Sequence, residues 1–378
     1  MKVLIFITLL FSFSTIAAGP ERVASFDRTT WPEKLNTKAA FDKASRFEIY
    51  HFVTALDEQI LSNKQEITKF TNIKNVNINA VMEWKKLATK RLLNAFIAAC
   101  QSSNEQVNLA ECNNINSITA IKNNMEAAYL NLPPSFDRWK TSSMAFHKRY
   151  LYEQVRLAAL FPRITSEILT LDDSEMTGFE MKDREFLLTF DDGPSSKKGK
   201  NTGDIINLLN QSGLNAIFFV LGERFATLTQ KQSKALYKNQ CVGSHGYTHK
   251  AHPKYKKWKS SLDDTLTLIT DKLDVPSNHI WFRPPYGQRS NEIIDHLKQQ
   301  NAQGVMLWNI DSQDWNRKLD SKEVTDRTTT IMLLWRKGVI LFHDLYAKNI
   351  ATVNNLHTLG ENTALTYVNC NSVAIHTK

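Results

Sequence analysis

Two adjacent aspartates, Asp191 and Asp192, close the apolar run FLLTFDDGP, and Gly193-Pro194 turns the chain directly after them. Like charges side by side at a strand end are costly unless a cation stands with them. Further on, HGYTH offers His245 and His249. Four-residue spacing puts both imidazoles on one side of a helical turn or tight loop, where they can share a metal ion. Two histidines and one carboxylate make an open centre with room for water or substrate, and one aspartate is left over. Neighbouring side chains of an extended strand point different ways, so one aspartate can bind the ion while the other faces the water beside it. Arg283, in HIWFRPPYG, can hold an aspartate ionised through a charge-assisted hydrogen bond. Asp311, Asp314 and Trp315 follow in NIDSQDW, and His343 in ILFHD. A histidine facing an aspartate suits a general acid whose tautomer and charge are fixed by its partner.

These residues need elements that bring them together. Short β-rich runs (FLLTF, NAIFFV, QCVGS, HIWFR, GVMLWNI, GVILF) alternate with amphipathic stretches such as 202–211 and 320–336. That alternation predicts parallel βαβ units, and six or seven of them make a barrel or a large part of one. Strand C-termini of a parallel barrel open onto one face, so the polar ends of the runs read as a single site, NAIFFV excepted. Residues 20–165 read instead as a mostly helical N-terminal domain. Ile49, Val53, Leu56 and Ile60 keep helical spacing, as do Val81, Trp84, Ala88 and Leu92. A further run from Ser142 to Phe161 stops at Pro162. His51 and His147 are read there as helix residues rather than ligands. Residues 166–182 form the expected linker, and 183–378 the second domain.

The 378 residues are 42% hydrophobic and 22% charged, enough for a sizeable core, and the net charge is +9. That charge suits an anionic cell envelope. Without zinc-finger spacing, an RNP-like aromatic motif or a concentrated basic helix, it does not indicate nucleic acid. The start, MKVLIFITLLFSFSTIAAGP, has Lys2, an apolar run from Val3 to Phe13, and small residues Ala17, Ala18 and Gly19. That layout predicts a secretory signal peptide at 1–19. The run is shorter than the roughly 20 residues of a spanning helix. An exported protein without a membrane span is therefore expected, in the periplasm or secreted. Export makes Cys100, Cys112, Cys241 and Cys370 candidate disulfide partners. Of three pairings, Cys100–Cys112 with Cys241–Cys370 is expected, because each bridge then closes within one domain.

TFDDGP, HGYTH, FRPPYG, DSQDW and LFH, in this order, resemble the five motifs of the NodB-homology polysaccharide deacetylases, family four of the carbohydrate esterases. The resemblance covers about residues 183–376 and implies an α/β fold, a distorted (β/α) barrel of about seven strands. It makes Asp191 the catalytic base, and Asp192, His245 and His249 the metal ligands. Arg283 orients the base, the Tyr286 backbone N–H holds the oxyanion, and Asp314 partners the general acid His343. Trp315 and Leu341 pack around the acetyl methyl. The implied reaction is metal-dependent hydrolysis of the N-acetyl group of N-acetylglucosamine residues in a polysaccharide, peptidoglycan first, with release of acetate. Chitin, chitooligosaccharide or exopolysaccharide deacetylation, acetyl-xylan esterase activity and a non-catalytic glycan-binding module are the alternatives. Zinc is the first choice of metal, though the same ligands accommodate cobalt, nickel or iron. The partner implied is the glycan itself. In one departure, Gly246 stands where the family usually has Ser or Thr, directly after the first metal histidine. VNCNSVAI at 368–375 is read as the closing strand.

Overall fold

The computed structural model describes residues 23–101, 109–195 and 200–373, so the expected signal peptide lies outside the described residues. No helix among the described residues is long and apolar enough to cross a membrane. Five α-helices come first: α1 (Lys38–Asp57), α2 (Lys64–Thr71), α3 (Ile78–Gln101), α4 (Ile118–Leu130) and α5 (Asp137–Leu160). Thr37, Asn63 and Ser117 begin α1, α2 and α4, each side-chain oxygen accepting a first-turn N–H. The chain leaves α5 at Phe161, which is extended as the residue before a proline prefers to be.

The second half alternates strands and helices. In order they are β1 (Glu175–Met176), β2 (Glu185–Gly193), α6 (Lys200–Gln211), β3 (Ile217–Val220), α7 (Gly222–Phe225), α8 (Gln230–Leu236), β4 (Cys241–Ser244) and α9 (Trp258–Leu273). There follow β5 (Trp281–Phe282), α10 (Asn291–Gln299), β6 (Gly304–Met306), β7 (Ile310–Asp311), α11 (Ser321–Trp335), β8 (Gly338–His343), α12 (Lys348–Thr363) and β9 (Thr366–Tyr367). The sheet runs β1-β6-β5-β4-β3-β2-β8-β7, with β9 beside the start of β2, and every pairing is parallel. β6 and β7 are halves of one segment bent at 307–309. Leu307 N–H donates to the Met176 carbonyl and Asn309 N–H to that of Val339, which carries this segment from one edge of the sheet to the other. This is the distorted (β/α) barrel expected from the sequence. Strands of such a sheet are covered on both faces, so β2, β3 and β8 are nearly continuous apolar runs.

The two halves share one apolar core, which includes Phe41, Phe52 and Trp84 from the helices and Phe186, Leu334 and Leu356 from the barrel side. α1 lies between α5 and α11 and is buried along most of its length, polar residues included. Those polar residues are paired, as burial requires. Asp42 meets Arg184 at 3.0 Å and Arg336 at 2.8 Å, and the Ser45 hydroxyl donates to the Leu333 carbonyl at 2.6 Å. Glu48 accepts from Arg28 at 2.8 Å, from Ser143 at 2.7 Å and from Trp139 at 3.1 Å, and stands 2.8 Å from His147 Nε2. His51 and His147 are thus fully buried helix residues, His51 resting on Ser143 at 2.8 Å. On α5, Glu153 binds Arg327 of α11 at 2.8 Å.

Both expected disulfides are present, Cys100–Cys112 and Cys241–Cys370. The closing strand differs from its expected position. It is Thr366–Tyr367, whereas Cys370–Ser372 forms a 3-10 turn capped by the Asn369 side chain. Asparagine favours such a turn over an extended strand.

Candidate active site

Parallel pairing of β2 with β8 sets Asp191 directly beside His343. His245 and Arg283 each stand one residue past the ends of β4 and β5, at the same barrel face. The pair Asp191-Asp192 departs from a regular strand. Pairing of β2 with β3 slips between Asp191 and Gly193, and Asp192 takes a left-handed conformation with φ 75°. A bulge of this kind re-aims a side chain, and here both carboxylates reach His245. Arg224 of α7 donates to the Asp192 carbonyl at 3.0 Å, and the Asp344 N–H to that of Asp191 at 3.3 Å, fixing the bulge from both sides.

Asp192 Oδ1 lies 3.5 Å from Nε2 of His245 and 3.5 Å from Nε2 of His249. One ligand atom from each of the three residues lies within 4.8 Å of the others. The His245 Nδ1 faces the Arg283 carbonyl at 2.7 Å, so Nδ1 carries the proton and Nε2 presents a bare lone pair. Burial, and His249 beside it, holds the His245 pKa well below the usual imidazole value, and burial lowers that of His249. Asp192 Oδ1 is itself buried without a hydrogen-bond partner. A carboxylate oxygen without a hydrogen-bond partner, facing two imidazoles that burial keeps neutral, fits a divalent cation, and two imidazoles with one carboxylate are a donor set that zinc accepts.

Asp191 is turned differently. Its Oδ1 takes a hydrogen bond from Arg283 Nη1 at 2.9 Å, and its Oδ2 is 3.8 Å from His245 Nε2. Arg283 is fully buried, and Thr189 Oγ1 at 2.7 Å and the carbonyls of Met306 and Leu307, both at 3.1 Å, take three more of its protons. Burial raises the Asp191 pKa, against the opposing pull of Arg283 and His343. Across the mouth, His343 Nδ1 meets Asp314 Oδ1 at 2.7 Å, while Asp314 Oδ2 accepts from the His343 N–H at 2.6 Å and from Asn349. Burial disfavours a charged ring, but the charge and hydrogen bond of Asp314 outweigh it and push the His343 pKa up to about 10. Asp311 is engaged elsewhere, with Gln313, at 2.9 and 2.6 Å.

Tyr286 has a left-handed backbone with φ 59°, and its ring meets that of His249 edge-on at 4.4 Å. Its N–H makes no hydrogen bond to the described residues. Leu341 and Trp315 line the same pocket, Leu341 buried and Trp315 40% exposed. Every site residue expected from the sequence therefore lies at one mouth. Gly246 has φ 77°, and a Cβ there would lie 2.6 Å from His252 Cε1. His252 and Ser261 occupy the space where a Ser or Thr side chain would stand. The Ser261 hydroxyl takes the Tyr247 N–H at 2.7 Å, so the histidine loop is held from α9.

Sequence reasoning missed Arg224, Thr189, Asn349 and Ser261. Arg224 follows the NAIFFV run that lacked a polar end, and a charge four residues past that strand was the available signal. The others reach the site from strand or helix interiors, where hydroxyl and amide residues have no distinctive spacing.

Comparison with known proteins agrees with this geometry. Residues 179–305 match the family described as polysaccharide deacetylase. The peptidoglycan-N-acetylmuramic acid deacetylase PdaC of Bacillus subtilis is 30% identical over 186 residues, which are 48% of this chain and 36% of that protein. Chitin deacetylase 2 of Saccharomyces cerevisiae is 29% identical over 43% of this chain and 51% of its own length. Less than two thirds of either relative is matched. A solved structure of a peptidoglycan N-acetylglucosamine deacetylase aligns at 21% identity and a TM-score of 0.46, over 52% of this chain and 90% of that one. Residues 179–305, in the barrel half, thus match a polysaccharide deacetylase domain, and this domain is what the chain shares with these relatives.

Proposed function

We propose that the protein is an exported, metal-dependent deacetylase that hydrolyses the N-acetyl group of N-acetylglucosamine residues in a polysaccharide, with peptidoglycan as the first substrate. One observation carries this reading: the facing acceptors of Asp192, His245 and His249 share a mouth with two separately paired groups, Asp191 with Arg283 and His343 with Asp314. A cation held by the three acceptors supplies Lewis acidity toward the water and the acetamide carbonyl. Asp191, oriented by Arg283, takes the proton of the attacking water. His343, kept protonated by Asp314, gives its proton to the leaving nitrogen, so a carboxylic acid and an amine form (a carboxylate and an ammonium once the acid ionises), and the proton left on Asp191 passes to His343 to restore both groups. The Tyr286 N–H donates to the oxygen on which charge develops, a contribution that is usually large. Leu341 and Trp315 pack against the methyl. Burial that raises the Asp191 pKa brings this base closer to neutral pH, where general bases work best.

The test is acetate release by purified protein on peptidoglycan, chitooligosaccharides and acetylated xylan, with and without chelator, beside Asp191→Asn. Chelator-sensitive release from an acetamido glycan, lost in the variant, is expected. Release from acetylated xylan alone would make it an esterase, and no release with no bound metal a glycan-binding module.

A further inference from the structure

A single pocket of about 340 Å³ joins the barrel mouth to the helical half. Asp191, His249 and His343 wall one part of it, and Arg91 of α3 and Gln154 of α5 wall another. The volume is at the small end of ligand pockets, which run from roughly 300 to 1,000 Å³. The helices are therefore part of the wall that a substrate meets.

Arg91 is the unusual group in that wall. Its guanidinium lies over the Phe179 ring, 3.6 Å from the centroid, and has no hydrogen bond or ion pair among the described residues. Glu180 is the one carboxylate whose charge reaches it, and that carboxylate is already bound to Thr177 and the Gly178 N–H. Burial lowers the Arg91 pKa to about 10, with the Glu180 charge only partly offsetting it. Arg283, Arg289, Arg327 and Arg336, by contrast, are each matched with a carboxylate. A planar guanidinium fixed on an aromatic face is shaped for two-point binding of a carboxylate. The opposite charge gathers nearer the catalytic histidine. Asp311, whose charge interacts with His343, and Glu167 beside it line the same pocket.

We propose that Arg91 is a specificity-determining residue that binds a carboxylate of the substrate, so that the preferred substrate is an acidic acetamido glycan rather than a neutral one. The proposal rests on the deacetylase reading above and assigns the helical half a place in that site. An ether-linked lactate and a uronic acid present the same carboxylate chemistry, and either source would serve.

The experiment compares wild type, Arg91→Gln and Arg91→Lys on a neutral chitooligosaccharide, a lactyl-bearing and a uronate-bearing acetamido oligosaccharide, and the methyl esters of the last two. Expected for wild type is a preference for at least one acid over its ester, which also identifies the source. Arg91→Gln should raise KM for that acid by about 10- to 100-fold, the value of a charge-assisted hydrogen bond, with kcat and the neutral substrate unchanged. Arg91→Lys should recover part of the loss. Equal treatment of acid and ester by wild type, or a loss in Arg91→Gln that is the same on neutral and acidic glycans, would overturn the proposal. Calorimetric binding of the acidic oligosaccharides to chelator-treated wild type and Arg91→Gln gives a second readout that needs no turnover. Binding lost only in the variant would uphold the carboxylate site even if no acetate were released, and identical binding would refute it.

Discussion

Replacing Asp314 with asparagine tests the catalytic reading most directly. Asp314 accepts from both the ring and the backbone of His343, and its charge is what lifts the ring's pKa to about 10 against burial. In Asp314→Asn the ring keeps a neutral partner and loses the charge, so its pKa falls to the ordinary imidazole value of about 6.5 or below. The wild-type acid stays protonated across the neutral range. In the variant about one ring in four would be protonated at pH 7 and about one in thirty at pH 8. Protonation alone then predicts a kcat loss of about fourfold at pH 7 and about thirtyfold at pH 8. Disturbed orientation adds a pH-independent factor, within the roughly 10²–10⁴ that general acid–base catalysis contributes. The assay is kcat against pH for both proteins at saturating metal, from about pH 6 to 9. Taking the ratio cancels every titration the two share. A ratio that stays flat across that range would refute the assignment of His343 as an acid sustained by Asp314.

Two further substitutions test the frame that holds the site. Glu48→Gln leaves Arg28 buried without its counter-charge, so it should cost about 3–5 kcal/mol in urea unfolding at pH 7; a loss below about 1 kcal/mol would mean that the cluster around α1 is not a stabilising unit. Burial resists ionisation of Glu48, but His147 and Arg28 outweigh it and depress the pKa below the usual 4.5, so the contribution is full above that value and is lost as pH falls through the lower, folded one. Gly246→Ser, which restores the residue usual in the family, should destabilise by about 1–3 kcal/mol, because φ 77° disfavours a side chain and the new Cβ would strike His252. Its melting temperature should drop, and an unchanged value would show that His252 moves aside freely.

The reach of the sequence differed between the two halves. Asp191, Asp192, His245, His249, Arg283, Asp314 and His343 were legible because a parallel barrel turns every strand end to one face. Order along the chain is thereby converted into position in space. The bulge at Asp192 was not legible, since a shift of register is settled by the neighbouring strand and leaves no periodic trace. In the helical half, spacing found the helices but not their partners. Asp42 and Glu153 are ordinary surface residues on a helical wheel, and only the arrival of Arg184, Arg336 and Arg327 explains their burial. Arg91 was invisible for the same reason, because its meaning depends on a pocket assembled from both halves.

Those cross-connections bear on the order in which the molecule can be made. A chain emerges from the ribosome N-terminus first, and domains that are self-sufficient fold as they emerge. Here Asp42 and Glu153 are synthesised long before the guanidinium groups that neutralise them. Arg336, the last of these, precedes only the final strands and helix. Until Arg184 and then Arg336 have emerged, α1 carries the Asp42 carboxylate into an apolar layer without its full set of partners, and its final packing is uphill. The helical half therefore waits, incompletely docked, for the barrel. The last turn of α11 acts as the latch that commits both at once.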